Sequence, residues 1–271
     1  MYKIMLTVRN RLAITKKCIH ALKHHSDIPH QIYIYDNLTN YKLDEHFKYY
    51  HDLLSKGEIA QITFNTATST FNAFSKASSC NNFGAVHEQD PNRKNISFLV
   101  FLDNDIIVRP GWDKTLRTAW KEVGKHRLNN IKVIGQRPGG IMNGQRLPYK
   151  VAGYDAVVGK FGGSGLWCVK TNFFRDVGFL NLKDLVNQNK RHDQMYWRKL
   201  AEATNGERYI LGLSTKLGIH CGRMAGSVCN ALTKNRHEDV SFQKQDTDID
   251  KMKFDDFYKY IAHKKELHND W

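Results

Sequence analysis

The sequence predicts an α/β protein built on a doubly wound, mostly parallel sheet flanked by helices. Three observations predict it. Apolar runs alternate with amphipathic helical patterns through the first hundred residues, the signature of β-α-β units. With 271 residues, 41% of them hydrophobic, the chain can bury one large core or two small ones. Carboxylates also stand at the ends of apolar runs, where the loops of an open sheet form a ligand crevice.

In chain order, the first run is KIMLTV (3–8), followed by a helical pattern with Ile14, Cys18, Ala21 and Leu22 on one face. IYIYD (32–36) reads as the second strand and AQITF (60–64) as the third. STFNAFSKASSCNNFGA (69–85) reads as a small-residue helix, leading through the turn-rich HEQDPNRKN (87–95) into SFLVFLD (97–103). Four strands with helical crossovers make a doubly wound half-domain. Pro110 and Gly111 break the chain; Leu116, Ala119, Trp120 and Val123 then fall at helical spacing. That spacing turns Arg117, Lys121 and Lys125 outward, as a solvated face or as one that meets an acceptor. Gly135, Gly139, Gly140 and Gly144, with the glycines from Gly153 to Gly165, mark turns or close backbone approach to a ligand. A final helical pattern holds Phe254, Phe257, Tyr258 and Ile261. The expected organisation is one domain over residues 1–232, with halves of about 1–108 and 109–232, and a helical extension over 233–271 packed on it.

The net charge of +14 points to an anionic partner: nucleic acid, a phosphorylated substrate or an anionic membrane surface touched peripherally. Residues 109–150 hold ten basic and two acidic residues, whereas residues 233–271 hold eight basic and nine acidic. A polybasic tail anchor is therefore disfavoured. No apolar stretch has the roughly 18 residues of a spanning helix. The amino terminus lacks the apolar core of a secretory signal, so a cytoplasmic location is expected. Cys18, Cys80, Cys168, Cys221 and Cys229 form no C-x-x-C pair and read as reduced, buried thiols.

FLVFLDNDIIVRPGWD (98–113) carries the chemistry. Asp103 and Asp105 follow the longest apolar strand and repel each other unless a positive charge neutralises them. A hard divalent ion with oxygen ligands, Mn2+ or Mg2+, does so and keeps positions open for phosphate oxygens. Asp36, ending IYIYDN, can accept hydrogen bonds from a base or ribose, or equally cap a turn.

With these motifs in order, the chain resembles a family 2 glycosyltransferase. The matching segments are LTVRNR, YIYDN, FNAFSKASSCNNFGA, the D-x-D-like FLDND, GGSGLWCVKTNFFRDVGFLN and RHDQMYWRKL, over roughly residues 3–222. The resemblance implies a GT-A type, Rossmann-like fold and a hexosyltransferase-type enzyme. It implies metal-dependent, inverting transfer from a nucleotide-diphosphate sugar, a UDP-sugar being the expected donor. Residue by residue, it implies that Thr7, Arg9 and Asp36 hold the nucleotide, and that Asp103 and Asn104 contact ribose and diphosphate. Asp105 would ligate the metal, with His220 as a further ligand, and Asp193 would be the catalytic base. Gly163, Trp167 and His192 would fall near the sugar or acceptor. His192 stands where the family has Glu, and Asn181 replaces the acidic residues of its GGFDE turn. Apart from the resemblance, Asp193 suits an ordinary first helical turn, His220 a structural histidine and Trp167 a core tryptophan.

A second class, a non-enzymatic basic nucleic-acid-binding protein, accounts for the charge but leaves the paired carboxylates unexplained, and no recognition-helix or zinc-finger pattern accompanies it. A glycosyltransferase with an anionic acceptor, such as a modified base in DNA or a phosphate-rich polymer, accounts for both.

Overall fold

The computed structural model describes residues 1–37, 39, 42–65, 72–136, 144–160, 165–183, 192–215, 217–221 and 248–267, excluding the side chains of 72–75, 192–194 and 264–267. Four parallel strands, β1 (Tyr2–Val8), β2 (His30–Asn37), β3 (Gln61–Asn65) and β4 (Phe98–Asp103), form one half of a nine-stranded sheet. They are joined by α1 (Leu12–His25), α2 (Leu43–Ser55) and α3 (Asn72–Gln89). A parallel pair needs such a crossover to bring the chain back to the same edge. Beyond them come β5 (Ile106–Val108), α4 (Trp112–Lys125), β6 (Val133–Gln136), β7 (Gln145–Arg146), β8 (Ala156–Gly159) and β9 (Leu166–Lys170). After β9 follow α5 (Phe173–Val177), α6 (His192–Ala203), β10 (Ile210–Leu213), β11 (Gly218–His220) and α7 (Phe254–Leu267).

The strand order is β3-β2-β1-β4-β9-β6-β10-β8-β7, with β5 and β11 pairing separately. β9 runs antiparallel to both β4 and β6, so β6, and β10 parallel to it, point the same way as β1 and β4. One ladder thus crosses both expected halves of the chain. The stretch read from its glycines as turns contains β6, β7 and β8. These strands are two to four residues long and exist because neighbouring strands supply their hydrogen-bond partners.

Alternation along each strand divides the core between the two faces. Ile4, Leu6, Val100 and Leu102 pack with Cys18, Leu22, Tyr50, Leu116 and Trp120 from α1, α2 and α4. Met5, Leu99 and Phe101 pack with Cys80, Phe83, Phe174 and Tyr196 from α3, α5 and α6. Because both faces are covered, the strands read as near-continuous apolar runs. Phe257 and Ile261 of α7 are buried in the first cluster, and Phe254 and Tyr258 stack edge-on to His25 of α1. Among the described residues, no helix is long and apolar enough to cross a membrane.

Candidate active site

β1 leads left to β2 and β3, while β4 lies on its other side, so the strand order reverses between β1 and β4. Ligands of open α/β sheets bind at such a switch point, outside the carboxyl ends of the strands. The register Thr7↔Asp103 brings both ends to that edge.

Asp103 is held from two directions. Thr7 Oγ1 lies 2.7 Å from Asp103 Oδ1 and 3.2 Å from the Leu102 carbonyl, and Lys76 of α3 forms an ion pair with the same carboxylate oxygen. Burial alone would lower the Lys76 ammonium, but Asp103 outweighs burial and raises it, so the charge persists. Asn104 turns inward: its amide donates to Thr15 Oγ1 at 2.9 Å and to the Asn10 carbonyl at 3.4 Å. It therefore ties the loop after β4 to the loop after β1.

Asp105 faces a guanidinium and an imidazole. Arg11 Nη1 donates to its Oδ2 at 3.0 Å, and His220 Nε2 stands 3.5 Å from its Oδ1. Antiparallel pairing of β5 with β11 sets His220 opposite Ile106, and Cys221 N donates to the Asp105 carbonyl at 2.7 Å, which fixes the histidine beside the carboxylate. Burial would raise the Asp105 carboxyl, but His220, Arg11 and Lys76 outweigh it and hold it well below the usual carboxylate range. Asn10 and Arg11 both occupy the left-handed region, at φ 53° and 58°. Such backbone costs about 1 kcal/mol or more per non-glycine residue and persists only where surrounding contacts enforce it. Here the Asp105 ion pair and the Asn104 bond enforce it.

Arg9 follows β1 at the same edge. Its Nε and Nη1 are buried with no hydrogen-bond partner among the described residues. Burial pulls the guanidinium below its usual value while Asp36 acts in the opposite sense. Unsatisfied buried donors of this kind are rare in folded chains and suit an anionic or carbonyl acceptor from outside.

Asp36 is 2% exposed, and both its oxygens are satisfied within the protein. Oδ1 accepts from Thr39 N at 2.9 Å; Oδ2 accepts from Thr39 Oγ1 at 2.8 Å and Tyr50 Oη at 3.2 Å. Its carboxylate closes the loop after β2, and burial raises its pKa. His46 Nδ1 lies 2.9 Å from Tyr50 Oη, extending the chain of hydrogen bonds. Burial, with Lys16 and Lys42 nearby, lowers the His46 pKa from 6.5 to about 4. The unfolded chain therefore takes a proton near pH 6.5 that the folded chain refuses. Stability from this residue is complete above pH 6.5 and falls by about 3 kcal/mol as pH drops to 4. Asp36, with its raised pKa, opposes part of that loss at the acid end. Urea midpoints measured from pH 7.5 to 4.5 are expected to fall less steeply in His46→Gln than in the parent; parallel curves would refute a neutral buried His46.

No family model and no curated protein matches the sequence. Solved structures do. GalNAc-T7, determined with UDP, GalNAc and Mn2+, matches with a TM-score of 0.54 at 10% identity, over 99% of this chain and 54% of its own. The fold is of the GT-A type. S. aureus TarS 1–349 in complex with UDP-GlcNAc matches at 0.48 and 15% identity, over 80% of this chain and 57% of that one. Mannosyltransferase PcManGT from Pyrobaculum calidifontis, in complex with GDP-Man and Mn2+, matches at 0.49 and 13% identity, over 77% and 53%. The chain thus spans little more than half the length of these three.

In this GT-A fold, Thr7, Arg9, Asp36, Asp103, Asn104, Asp105 and His220 cluster around the ends of β1, β2 and β4 and the β5–β11 pair. Trp167 does not join them. It is 4% exposed and packs 4.5 Å from Trp197 in the core, because alternation along β9 turns it away from Leu166 and Cys168 toward α6. The expected sugar contact is corrected to a core tryptophan. Gly163 lies outside the described residues; His192 and Asp193 open α6, with side chains outside the description. Sequence reading missed Arg11 and Lys76. Lys76 is the lone charge in residues 69–85, a signal that could have found it. Arg11 carried no comparable mark.

Proposed function

We propose that this protein is a metal-dependent, inverting glycosyltransferase that moves a sugar from a nucleotide-diphosphate sugar, a UDP-sugar being the expected donor, to an acceptor hydroxyl. The observation that carries the reading is the buried Asp105 Oδ1, which among the described residues has His220 Nε2 at 3.5 Å as its nearest polar neighbour, at the sheet's switch point. A carboxylate oxygen beside an imidazole nitrogen is a donor set that a divalent ion such as Mn2+ accepts, so Asp105 and His220 would be the residues to hold one. The GT-A fold shared with a protein solved with UDP, GalNAc and Mn2+ supports the same reading.

A divalent ion on Asp105 and His220 would stabilise charge developing on the diphosphate leaving group. The chain's own residues do the rest. Arg11, fixed on Oδ2, turns Oδ1 of Asp105 toward His220. Lys76 and Thr7 orient Asp103. Arg9 offers its unsatisfied donors to the nucleotide, and Asp36 holds the neighbouring loop closed rather than offering free oxygens. Asp193, assigned by family resemblance, takes the acceptor proton from the face of the sugar opposite the leaving group, giving inversion by single displacement.

Thermal melting with a panel of nucleotide sugars, each with and without Mn2+ or Mg2+, tests the reading. A donor bound only by the folded chain at 100 times its Kd stabilises it by about 2.7 kcal/mol. A UDP-sugar is expected to raise the midpoint in a metal-dependent way. If no nucleotide sugar does so, the reading fails.

A further inference from the structure

The charged residues on the outward face of α4 are all basic. Lys114, Arg117, Lys121 and Lys125 are exposed. At 100° per residue they fall within about 80° of the helix surface and span about 16 Å along its axis. The two acidic residues of α4 are engaged elsewhere. Asp113 is buried and accepts from the amides of Asp27 and Ile28, and Glu122 accepts from Ala152 N at 2.6 Å. Only Lys114 has an ion-pair partner among the described residues, Asp27 at 3.2 Å, and both side chains of that pair are exposed.

The row continues past the end of the helix. Arg127 follows, lining a crevice of about 620 Å³ with Lys160 and Arg208. Its aliphatic lining is Leu128, Ile131 and Val158. Its carboxylate, Glu207, already accepts from Asn130. The crevice lies where β6 and β10 begin. Those strands run parallel to β4, so it opens on the sheet edge opposite Asp103, about 20 Å away by the length of a six-residue strand. It is no part of the candidate active site.

We infer that α4 and this crevice form a docking track for a linear phosphate-chain polyanion, bound through its charge alone. A row of basic groups running into a crevice suits an extended chain better than a single small anion. Among the described residues, the exposed large hydrophobic side chains are Leu43, Leu54, Tyr154, Phe179 and Tyr260, none of them on α4. α4 itself therefore presents no exposed aromatic side chain for stacking bases and no apolar face to enter a bilayer. Phosphate spacing and charge are what it can read. The inference does not depend on sugar transfer.

The test uses the full chain and a fluorescent oligothymidylate, with inorganic polyphosphate as competitor. Polyphosphate is expected to displace the oligonucleotide, and the affinity to fall steeply with salt. Each phosphate of a single strand that no longer meets a cation reduces the log–log salt slope by about 0.7. The triple variant Lys121→Glu/Lys125→Glu/Arg127→Glu is expected to lose about 2 from that slope and at least about tenfold in affinity at low salt, with its nucleotide-sugar melting shift unchanged. The exposed triple Lys48→Glu/Lys56→Glu/Lys94→Glu changes the net charge equally and is expected to retain the parent's slope. Equal losses in both triples would overturn the track, since the charge would then act as a diffuse field. So would retained binding in the first triple, failure of polyphosphate to compete, or stronger competition by phosphatidylglycerol vesicles than by polyphosphate.

Discussion

Asp105→Asn is expected to abolish metal-dependent turnover, by about a thousandfold or more, while the chain still folds. Stabilisation of a diphosphate leaving group by a bound divalent ion contributes several kcal/mol, and each 1.4 kcal/mol is tenfold in rate. Asparagine keeps an oxygen for Arg11 Nη1 but gives up the negative charge that faces Arg11 and His220. A stability loss of about 1–3 kcal/mol should accompany the substitution, as for a weakened buried hydrogen bond. Two measurements check it: release of nucleoside diphosphate from the donor with saturating Mn2+ or Mg2+, and the metal-dependent increment in melting temperature. Both are expected to vanish. A rate equal to the parent's would remove Asp105 from metal binding.

Asp193→Asn is expected to separate binding from chemistry. The donor and metal melting shifts should persist, since no donor contact is assigned to Asp193, while transfer falls by about 10²–10⁴, the range for a lost general base. Asp193 is the second residue of α6. A general base works from its ionised form. The rate of the parent should therefore rise with pH through one ionisation, and that limb should disappear in the variant. Full transfer activity in the variant would remove Asp193 as the base.

What was legible in the sequence follows strand length and locality. β1, β2 and β4 are runs of six or more residues largely buried on both faces, and their apolar content alone predicts them; β3 is partly buried throughout. β6, β8 and β10, each four residues long, carry too few positions for a period to register. They are strands because β9 and each other offer partners. The same division holds at the site. Asp103 and Asp105 are conspicuous because carboxylates after a buried strand are costly. Arg11 and Lys76 reach them from 94 and 27 residues away, and only the folded sheet joins them. Trp167 lies in a suggestive glycine-rich context, but its direction is set by the pleat of β9, which pairs on both sides.

The unbroken ladder from β4 through β9 to β6 has a mechanical consequence. Where two lobes share only a linker, ligand binding can swing one against the other about a hinge. Here the half built on β1 to β4 and the half beyond it share hydrogen-bonded strands, and relative rotation would shear that ladder apart. The strand ends that carry Thr7, Asp36 and Asp103 are thus held together on one rigid platform.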